Sequence, residues 1–164
     1  MKDNSKSQAI YLREVTIDDV ELLFKWVNDL GTRSNSFDSH MISWEEHKNW
    51  FERMIRDPKQ ISYIMVHKDT PVGQIRFNLS ENIAEISYSI APQERGKGYG
   101  KQIIHLAVMK IKSDYSDITK IRALVKPQNE ASIICFQHNG FVERYRTYEF
   151  DTKLGDAIQA DTDR

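Results

Sequence analysis

The sequence predicts an α/β protein with a mixed β-sheet that is flanked by helices on both faces. Three short alternating segments follow one another between residues 61 and 90, with tight polar turns between them, which is typical of an antiparallel meander. Amphipathic helical segments precede and follow this meander. A glycine-rich turn then leads into a helix and a further strand, which predicts a βαβ crossover between parallel strands.

Length and composition indicate a single soluble domain. The chain has 164 residues, of which 40% are hydrophobic and 29% are charged, and its formal net charge is −1. We expect one domain over 1–164, with an ordered core at about 11–150 and a polar C-terminal tail at 151–164. The near-neutral charge argues against nucleic acid or an anionic membrane as a partner. One cysteine, no signal-peptide core and no membrane-spanning apolar run predict a cytoplasmic location.

Three elements are predicted before the meander. The first helix begins near Thr16, an N-cap residue, and the second begins at Ser43, which fits a capping box with Glu46. The segment between these helices has no hydrophobic period, so we expect a long loop there. The predicted bounds are 11–15 for a strand, 16–27 for the first helix, 29–42 for the loop and 43–57 for the second helix.

Alternation and helical spacing define the remaining elements. In the third strand of the meander, the even-numbered residues from 84 to 90 share one face, and Glu85, Ser87 and Ser89 share the other. Asn129 fits the N-cap of the last helix, and Gly140 fits its C-terminal stop. The predicted elements are strands at 61–66, 72–79 and 83–90, a helix at 99–111, a strand at 121–125, a helix at 129–138 and a strand at 141–150.

The segment between the third strand and its following helix carries the strongest functional signal. Glycines at 96, 98 and 100 allow backbone N–H groups to approach an anion closely, and the helix start adds a positive dipole end. Arg95, Lys97 and Lys101 add local positive charge. This glycine turn, residues 95–100, therefore predicts a pyrophosphate site. It matches neither the Walker pattern nor the dinucleotide fingerprint, and the alternative interpretation is a turn with solvated basic residues.

Two groups of residues resemble motifs of the GNAT superfamily of N-acetyltransferases. Arg95-x-x-Gly98-x-Gly100, which opens a helix after an Ala-Glu-Ile-x-Tyr strand, is similar to the superfamily's acetyl-CoA signature. Asn129-x-x-Ser132 followed by Asn139-Gly140-Phe141 resembles its last helix and turn. The resemblance extends from about Tyr11 to Phe150. It implies the GNAT acyl-CoA N-acyltransferase fold and an enzyme that uses acetyl-CoA as acetyl donor.

The resemblance also implies how this chain would hold the cofactor. Backbone groups at Ser89 and Ile90 would pair with the pantetheine arm, and the amides of the glycine turn would hold the pyrophosphate. Asn129 would contact the cofactor, and Phe136 would pack beside the thioester. The complete implied set is Ser89, Ile90, Arg95, Gly96, Lys97, Gly98, Tyr99, Gly100, Lys101, Asn129 and Phe136.

Amine acetylation requires a base, because an ammonium group cannot attack the thioester. Glu85, on the polar face of the strand before the glycine turn, is the candidate, acting through a water molecule. The alternative is a surface glutamate paired with Arg76. The superfamily's usual acid is a tyrosine, and Phe136 stands at the matching position here. The substitute acids are Cys135, His138, Tyr88 and Tyr145. The His and Cys residues show no metal-ligand spacing, so no metal is expected.

The acceptor site is expected on the first two helices and the segment between them. Aromatic and short polar residues there suit a sugar, and the guanidinium of Arg33 suits a nucleotide phosphate. This stretch also resembles N-acetyltransferases of the pseudaminic and related nonulosonic acid pathways, which favours a nucleotide-linked amino-deoxysugar as the acceptor. The alternatives are a ribosomal-protein or peptide N-terminus, a polyamine, and a non-catalytic acetyl-CoA-binding module; a homodimer stays open. The candidate acceptor residues are Trp26, Asn28, Arg33, Phe37 and His47, although core packing is the more natural interpretation of Trp26.

Overall fold

The computed structural model describes residues 9–149 and has a mixed α/β architecture. A five-stranded sheet is flanked by helices, which confirms the predicted fold class. Short 3-10 turns lie at Ile17–Asp19 and Pro92–Glu94. The main elements are β1 (Ile10–Glu14), α1 (Val20–Val27), α2 (Leu30–Asn35), α3 (Trp44–Arg56), β2 (Gln60–His67), β3 (Thr70–Ser80), β4 (Ile83–Ile90), α4 (Tyr99–Asp114), β5 (Lys120–Ala123) and α5 (Glu130–His138).

The strands lie in the sheet in chain order, from β1 to β5. The first four strands pair antiparallel, and β5 pairs parallel to β4. The helix α4 is therefore the crossover that the sequence predicted. The sheet is long in the middle and short at the β5 edge, because β3 has 11 residues and β5 has four.

Apolar side chains form a separate core on each face of the sheet. On one face, Ile103 and Ile104 of α4 are completely buried together with Phe77 of β3. On the other face, Leu23 of α1 and Phe51 of α3 are buried against β2. Each fully buried side chain of this size contributes about 1.5–3 kcal/mol to folding. The helices are thus fixed firmly against a rigid sheet.

Capping contacts set the starts of the N-terminal helices. The Ser43 hydroxyl accepts from the Glu46 amide at 3.2 Å, and the Ser43 amide donates to the Glu46 carboxylate at 2.8 Å, which confirms the predicted capping box. Thr16 begins the short 3-10 turn, and the α-helix proper begins at Val20. The amide of Thr16 donates to the carboxylate of Asp19 at 2.8 Å.

Two predictions of secondary structure were wrong. The predicted loop 29–42 contains α2, because Asp29 caps a short helix by accepting from the Thr32 amide at 3.0 Å. The predicted strand 141–150 is absent from 141–149, where nearly all side chains are exposed and no neighbouring strand offers a hydrogen-bond ladder. Position 150 and the predicted tail 151–164 lie outside the described residues. Within residues 9–149, no helix has the length and apolar character to cross a membrane.

Candidate active site

The strands β4 and β5 separate at the edge of the sheet where a cofactor is expected. Their pairing begins at Ile83 with Lys120 and ends at Ile86 with Ala123. The strand β4 continues to Ile90 and pairs there only with β3. This leaves the last four residues of β4 without a strand partner on the β5 side, and we call this unpaired edge the cleft.

Hydrogen-bond alternation shows which residues of β4 face the cleft. The Ala91 amide donates to Val72 on the β3 side, and the Asn82 carbonyl accepts from the Lys120 amide on the β5 side. Successive residues alternate, so the even-numbered residues direct their backbone groups toward β5. Of the two predicted pantetheine partners, Ile90 therefore faces the cleft. Ser89 faces β3, and its place is taken by Tyr88.

The glycine turn leads from this cleft into α4. Gly96 and Gly98 have positive φ angles of 77° and 84°, which L side chains rarely adopt. Gly98 is the N-cap of α4 and offers no capping side chain, so the first amides of this 16-residue helix are left for another acceptor. These amides and the helix dipole form an anion-binding geometry.

Gly100 serves packing as well as the turn. A Cβ atom at this position would lie 2.9 Å from the Cys135 sulfur and 3.4 Å from the Tyr88 hydroxyl. The missing side chain therefore allows α4 to approach α5 closely. The side-chain amide of Asn139 reinforces this contact by donating to the Lys101 carbonyl at 3.1 Å.

The side chain of Arg95 turns away from the glycine turn and contacts α2. It donates to the Asp29 carboxylate at 2.5 Å and to the Thr32 hydroxyl at 3.2 Å. Its Nε also donates to the Ile90 carbonyl at 3.3 Å. Burial is the largest single influence on Asp29 and opposes its ionisation, but the hydrogen bonds from Arg95 and Thr32 and the charge of Arg95 together outweigh burial, so the pKa of Asp29 is lowered. Arg95 thus links the cofactor cleft to the N-terminal helices.

The helix α2 has a second link, to the other side of the cleft. The Lys126 ammonium, in the segment after β5, donates to the Ser34 carbonyl at 3.1 Å. The six residues of α2 are therefore held by the segments that follow β4 and β5.

The other predicted cofactor residues occupy several environments. Lys97 is exposed and paired with Glu94 at 2.9 Å, a hydrogen bond that raises the pKa of Lys97. The Tyr99 hydroxyl is turned inward to His67 Nδ1 at 2.5 Å, so only its backbone is available to a phosphate. Asn129 is the N-cap of α5, as predicted, and accepts from the Ser132 amide at 3.2 Å.

Phe136 lies in the wall beside the cleft and is 7% exposed. Its ring contacts the rings of Tyr88 and Phe141 edge-on, with centroid distances of 5.6 and 5.0 Å. The Tyr88 hydroxyl lies 3.2 Å from the Ser132 hydroxyl, and burial raises the pKa of Tyr88, so it stays protonated at neutral pH. Tyr145, another candidate acid, is 88% exposed.

Glu85 lies on the opposite face of β4 from Tyr88. It stands opposite Asn78 of β3 and Arg122 of β5, while Arg76 stands opposite Ser87. Among the described residues Glu85 and Arg76 form no ion pair. The guanidinium carbon of Arg76 instead lies 5.0 Å from the ring centroid of Trp50. The pairing proposed as the alternative role of Glu85 is therefore not present.

A cavity of about 1090 Å³ opens on the same face as Arg76, and we call it the α3 cavity. Its wall is formed mainly by α3, with contributions from α1, α2, the segment 36–42 and β3. Arg33 and His47, both predicted acceptor residues, line it, whereas the other three do not. Its full lining is Val27, Arg33, His40, Ile42, Glu46, His47, Asn49, Trp50, Glu52, Arg53, Arg56, Asp57 and Arg76.

The remaining predicted acceptor residues have structural contacts or are exposed. Trp26 is 6% exposed and its side chain packs from α1 into the core, which favours its interpretation as a core residue. The side-chain amide of Asn28 forms two hydrogen bonds of 2.8 Å with the backbone of Ile42 and braces the cavity wall. Phe37 is 70% exposed and lies outside the cavity lining.

His47 and Arg33 are both buried where they line the cavity. The Nε2 of His47 lies 2.9 Å from the Val20 carbonyl, and burial lowers the pKa of His47. Arg33 donates to the carbonyls of Asp38 and His40 at 3.2 and 3.3 Å, and to the Ser36 hydroxyl at 3.0 Å. Hydrogen bonds to the protein therefore fix both side chains in the cavity wall.

Sequence reasoning missed Asp29 and the pair of Arg76 with Trp50. The capping role of Asp29 could have been found from its spacing to Thr32, since an Asp at an N-cap accepts a hydrogen bond from the amide of the second or third residue after it. The stacked pair joins α3 to β3 across 26 positions, and no local pattern reports such a contact. For the 141 residues from 9 to 149, no group of three His, Cys, Asp or Glu side chains could hold a metal ion.

The fold, the cleft and the glycine turn define an acyltransferase that uses acetyl-CoA. The family model described as an acetyltransferase (GNAT) domain matches residues 9–142, so the chain belongs to the GNAT acetyltransferase family. A relative from Bacillus subtilis, the uncharacterized N-acetyltransferase YfmK, is 26% identical over 123 residues, which are 75% of this chain and 78% of the relative.

Solved structures share the fold at lower identity. The aminoglycoside acetyltransferase AAC(6')-Ib, crystallised with coenzyme A, has a TM-score of 0.73 and 18% identity, with 83% of this chain and 86% of that chain covered. The spermidine N-acetyltransferase from Vibrio cholerae, crystallised with CoA and spermine, has a TM-score of 0.75 and 20% identity, with 83% and 82% covered. At these identities the similarity establishes the fold.

Proposed function

We propose that this protein transfers the acetyl group of acetyl-CoA directly to a primary amine of a small molecule. The observation that carries the proposal is the cleft between β4 and β5, which ends at the glycine turn. The pyrophosphate would bind the amides of residues 96–100, and the pantetheine arm would pair with Tyr88 and Ile90 along the open strand edge. The thioester would then lie beside Phe136.

The reaction requires a group that accepts the proton of the amine and a hydrogen-bond donor that stabilises the oxyanion. Glu85 is our candidate acceptor for the proton that the ammonium must lose before it attacks. It lies about 16 Å along β4 from Ile90, at about 3.3 Å per residue, so a chain of several water molecules would carry the proton. The amine nitrogen bonds to the carbonyl carbon, and the N–H of Ile90 stabilises the oxyanion. The nitrogen then loses its second proton to water, the C–S bond breaks, and the CoA thiolate leaves and takes up a proton. Tyr88, whose ring contacts the ring of Phe136 edge-on, is our candidate donor.

The preferred acceptor is the amino group of a nucleotide-linked amino-deoxysugar. The α3 cavity supports a small molecule, and its arginines suit phosphate. The structural neighbours act on small amines, an aminoglycoside in one case and spermidine in the other. A polyamine would meet four arginines in this cavity, so we rank it second, and a peptide N-terminus third. A cytoplasmic location remains our proposal from the sequence.

Release of CoA with a panel of amines tests the proposal. The panel contains amino-sugar nucleotides, aminoglycosides, spermidine and N-terminal peptides, and calorimetry with CoA measures cofactor binding in parallel. We expect saturable turnover with at least one small amine. Tight binding of acetyl-CoA without turnover of any amine would instead identify a non-catalytic binding module. Turnover restricted to peptides would refute the small-molecule acceptor.

A further inference from the structure

Two buried guanidinium groups in the α3 cavity have an unused hydrogen-bond donor. The Nε atoms of Arg33 and Arg76 are inaccessible to solvent, and neither has a partner within the described part of the chain. Both residues line the same cavity. Buried donors without a partner are unfavourable and uncommon, so both guanidinium groups are held in the cavity wall at an energetic cost.

Arg33 brings a positive charge to the cavity wall. The Asp38 carboxylate acts on this charge through space, but within residues 9–149 no carboxylate forms an ion pair with Arg33. The residue is 9% exposed, and its terminal nitrogens donate only to two backbone carbonyls and one hydroxyl. None of these acceptors carries a charge. A guanidinium keeps its proton even when buried, so the cavity retains this charge at neutral pH.

Arg76 lies on the same face, with its guanidinium carbon over the ring of Trp50, 5.0 Å from the ring centroid. Arg53 and Arg56 line the cavity from α3. Within residues 9–149 none of these four arginines is paired with a carboxylate. Of the three lining carboxylates, Glu46 already accepts from the Ser43 amide and Asp57 from the Lys59 amide.

We infer that the α3 cavity is an anion subsite that recognises a phosphate group on the amine acceptor. This inference rests on the proposed function and names the acceptor's chemistry. Arg76 binds the phosphate and is held in orientation by Trp50, while Arg33 adds charge and braces the wall. Arg76 stands opposite Ser87, and Ile90 is three residues further, so the strand positions that carry the two sites are roughly 10 Å apart. An amino sugar joined to a phosphate has a comparable length.

The subsite can be tested without turnover by NMR of the arginine Nε–H groups. The protein is saturated with CoA, which fills the phosphate site at the glycine turn, and inorganic phosphate is then added. We expect the Arg76 resonance, assigned by its absence in Arg76→Met, to shift saturably. The matched control Arg144→Met, an exposed arginine outside the cavity, should titrate as wild type does. No shift of the Arg76 resonance in the wild type would overturn the subsite.

A second experiment compares acceptors that differ only in phosphate. Glucosamine and glucosamine 6-phosphate are assayed with saturating acetyl-CoA, together with an amino-sugar nucleotide. We expect kcat/KM to be about tenfold or more higher for the phosphorylated amines, since one hydrogen bond to a charged group increases affinity by about that factor. Arg76→Met should remove the preference, and Arg144→Met should keep it. The NMR titration is carried out on wild-type protein, so misfolding of a variant cannot explain a negative result in that experiment.

The outcomes separate this inference from the proposed function. Equal kcat/KM for the two glucosamines would overturn the anion subsite and leave amine acetylation standing. Failure of every amine, with CoA bound, would overturn the proposed function, and the phosphate titration would then decide the subsite on its own. A shift of the Arg76 resonance caused by acetate as strongly as by phosphate would identify a carboxylate site and refute phosphate recognition.

Discussion

The carboxylate of Asp29 lies 2.5 Å from the guanidinium of Arg95, and this contact joins the N-cap of α2 to the glycine turn. Two functions meet in one carboxylate, because Asp29 also accepts from the Thr32 amide. The start of α2 and the glycine turn are therefore joined through one residue. The contact is partly exposed, so its effect on overall stability is small.

Asn and Ala substitutions at Asp29 separate the cap from the ion pair. Asp29→Ala removes both and should lower the free energy of unfolding by about 0.5–2 kcal/mol. Asp29→Asn keeps a good N-cap and removes the charge, so it should cost less in urea unfolding while still weakening the link to Arg95. If both variants unfold at the same urea concentration as wild type, Asp29 has no capping role.

Gly98→Asp should abolish tight cofactor binding. Gly98 has a φ of 84° and open space around its Cα, so a side chain would project over the expected phosphate site. Gly98→Asn is the matched control, because Asn has the same shape, tolerates this backbone conformation and carries no charge. Calorimetry with CoA should show a larger loss for Asp than for Asn. Unchanged affinity in the Asp variant would remove the glycine turn as the phosphate site.

Glu85→Gln should slow the chemical step and spare the cofactor. Loss of a general base typically lowers kcat by about 10²–10⁴-fold. The affinity for CoA should stay within the error of calorimetry, because Glu85 lies on the face of β4 away from Tyr88 and Phe136. Turnover should be measured over a range of pH with the best amine. A variant with near-normal kcat at every pH would exclude Glu85 as the base.

Gly100→Ala should destabilise the protein by about 1–3 kcal/mol through overpacking. The added methyl would meet the Cys135 sulfur at 2.9 Å. Cys135→Ala removes that sulfur, so the double variant should recover part of the loss, and a double-mutant cycle by thermal unfolding measures the coupling. Additive effects in the cycle would show that the two helices do not meet through these two positions.

Stability should fall in acid as Asp19 is protonated. Burial raises the pKa of Asp19, but the hydrogen bond from Arg13, at 2.7 Å, and that from the Thr16 amide outweigh it and lower the pKa. A carboxyl whose folded pKa is below its unfolded value of about 3.9 stabilises the fold above that pH. The contribution is lost as pH falls further, through the folded pKa. In Asp19→Asn, the free energy of unfolding should depend less on pH between pH 5 and 2, as followed by circular dichroism. An unchanged pH dependence would contradict this.

Periodicity was sufficient for the sheet and for the long helices. The meander, the crossover helix α4 and the capping box of Ser43 follow from local patterns, since each pattern and its structural effect lie within a few residues. The glycine turn was found for the same reason. These features surround the proposed cofactor site, and they are the part of the structure there that the sequence could predict.

Features that depend on distant contacts were not predictable in this way. The six residues of α2 include Gly31 and lack an apolar stripe, and the helix depends on Asp29 and on contacts with Arg95 and Lys126. The alternating segment 141–150 has the pattern of a strand, but a strand needs a partner, and β5 ends at Ala123. The orientation of Ser89 toward β3 depends on the register between strands, which composition does not reveal.

The double attachment of α2 has a consequence for the order of folding. A helix of six residues does not persist alone in water, and its two supports, Arg95 and Lys126, reside at positions far downstream. The helix can consequently form only after the C-terminal half of the chain has assembled. Its amide protons should exchange with solvent earlier than those of β3, because α2 opens locally before the sheet does.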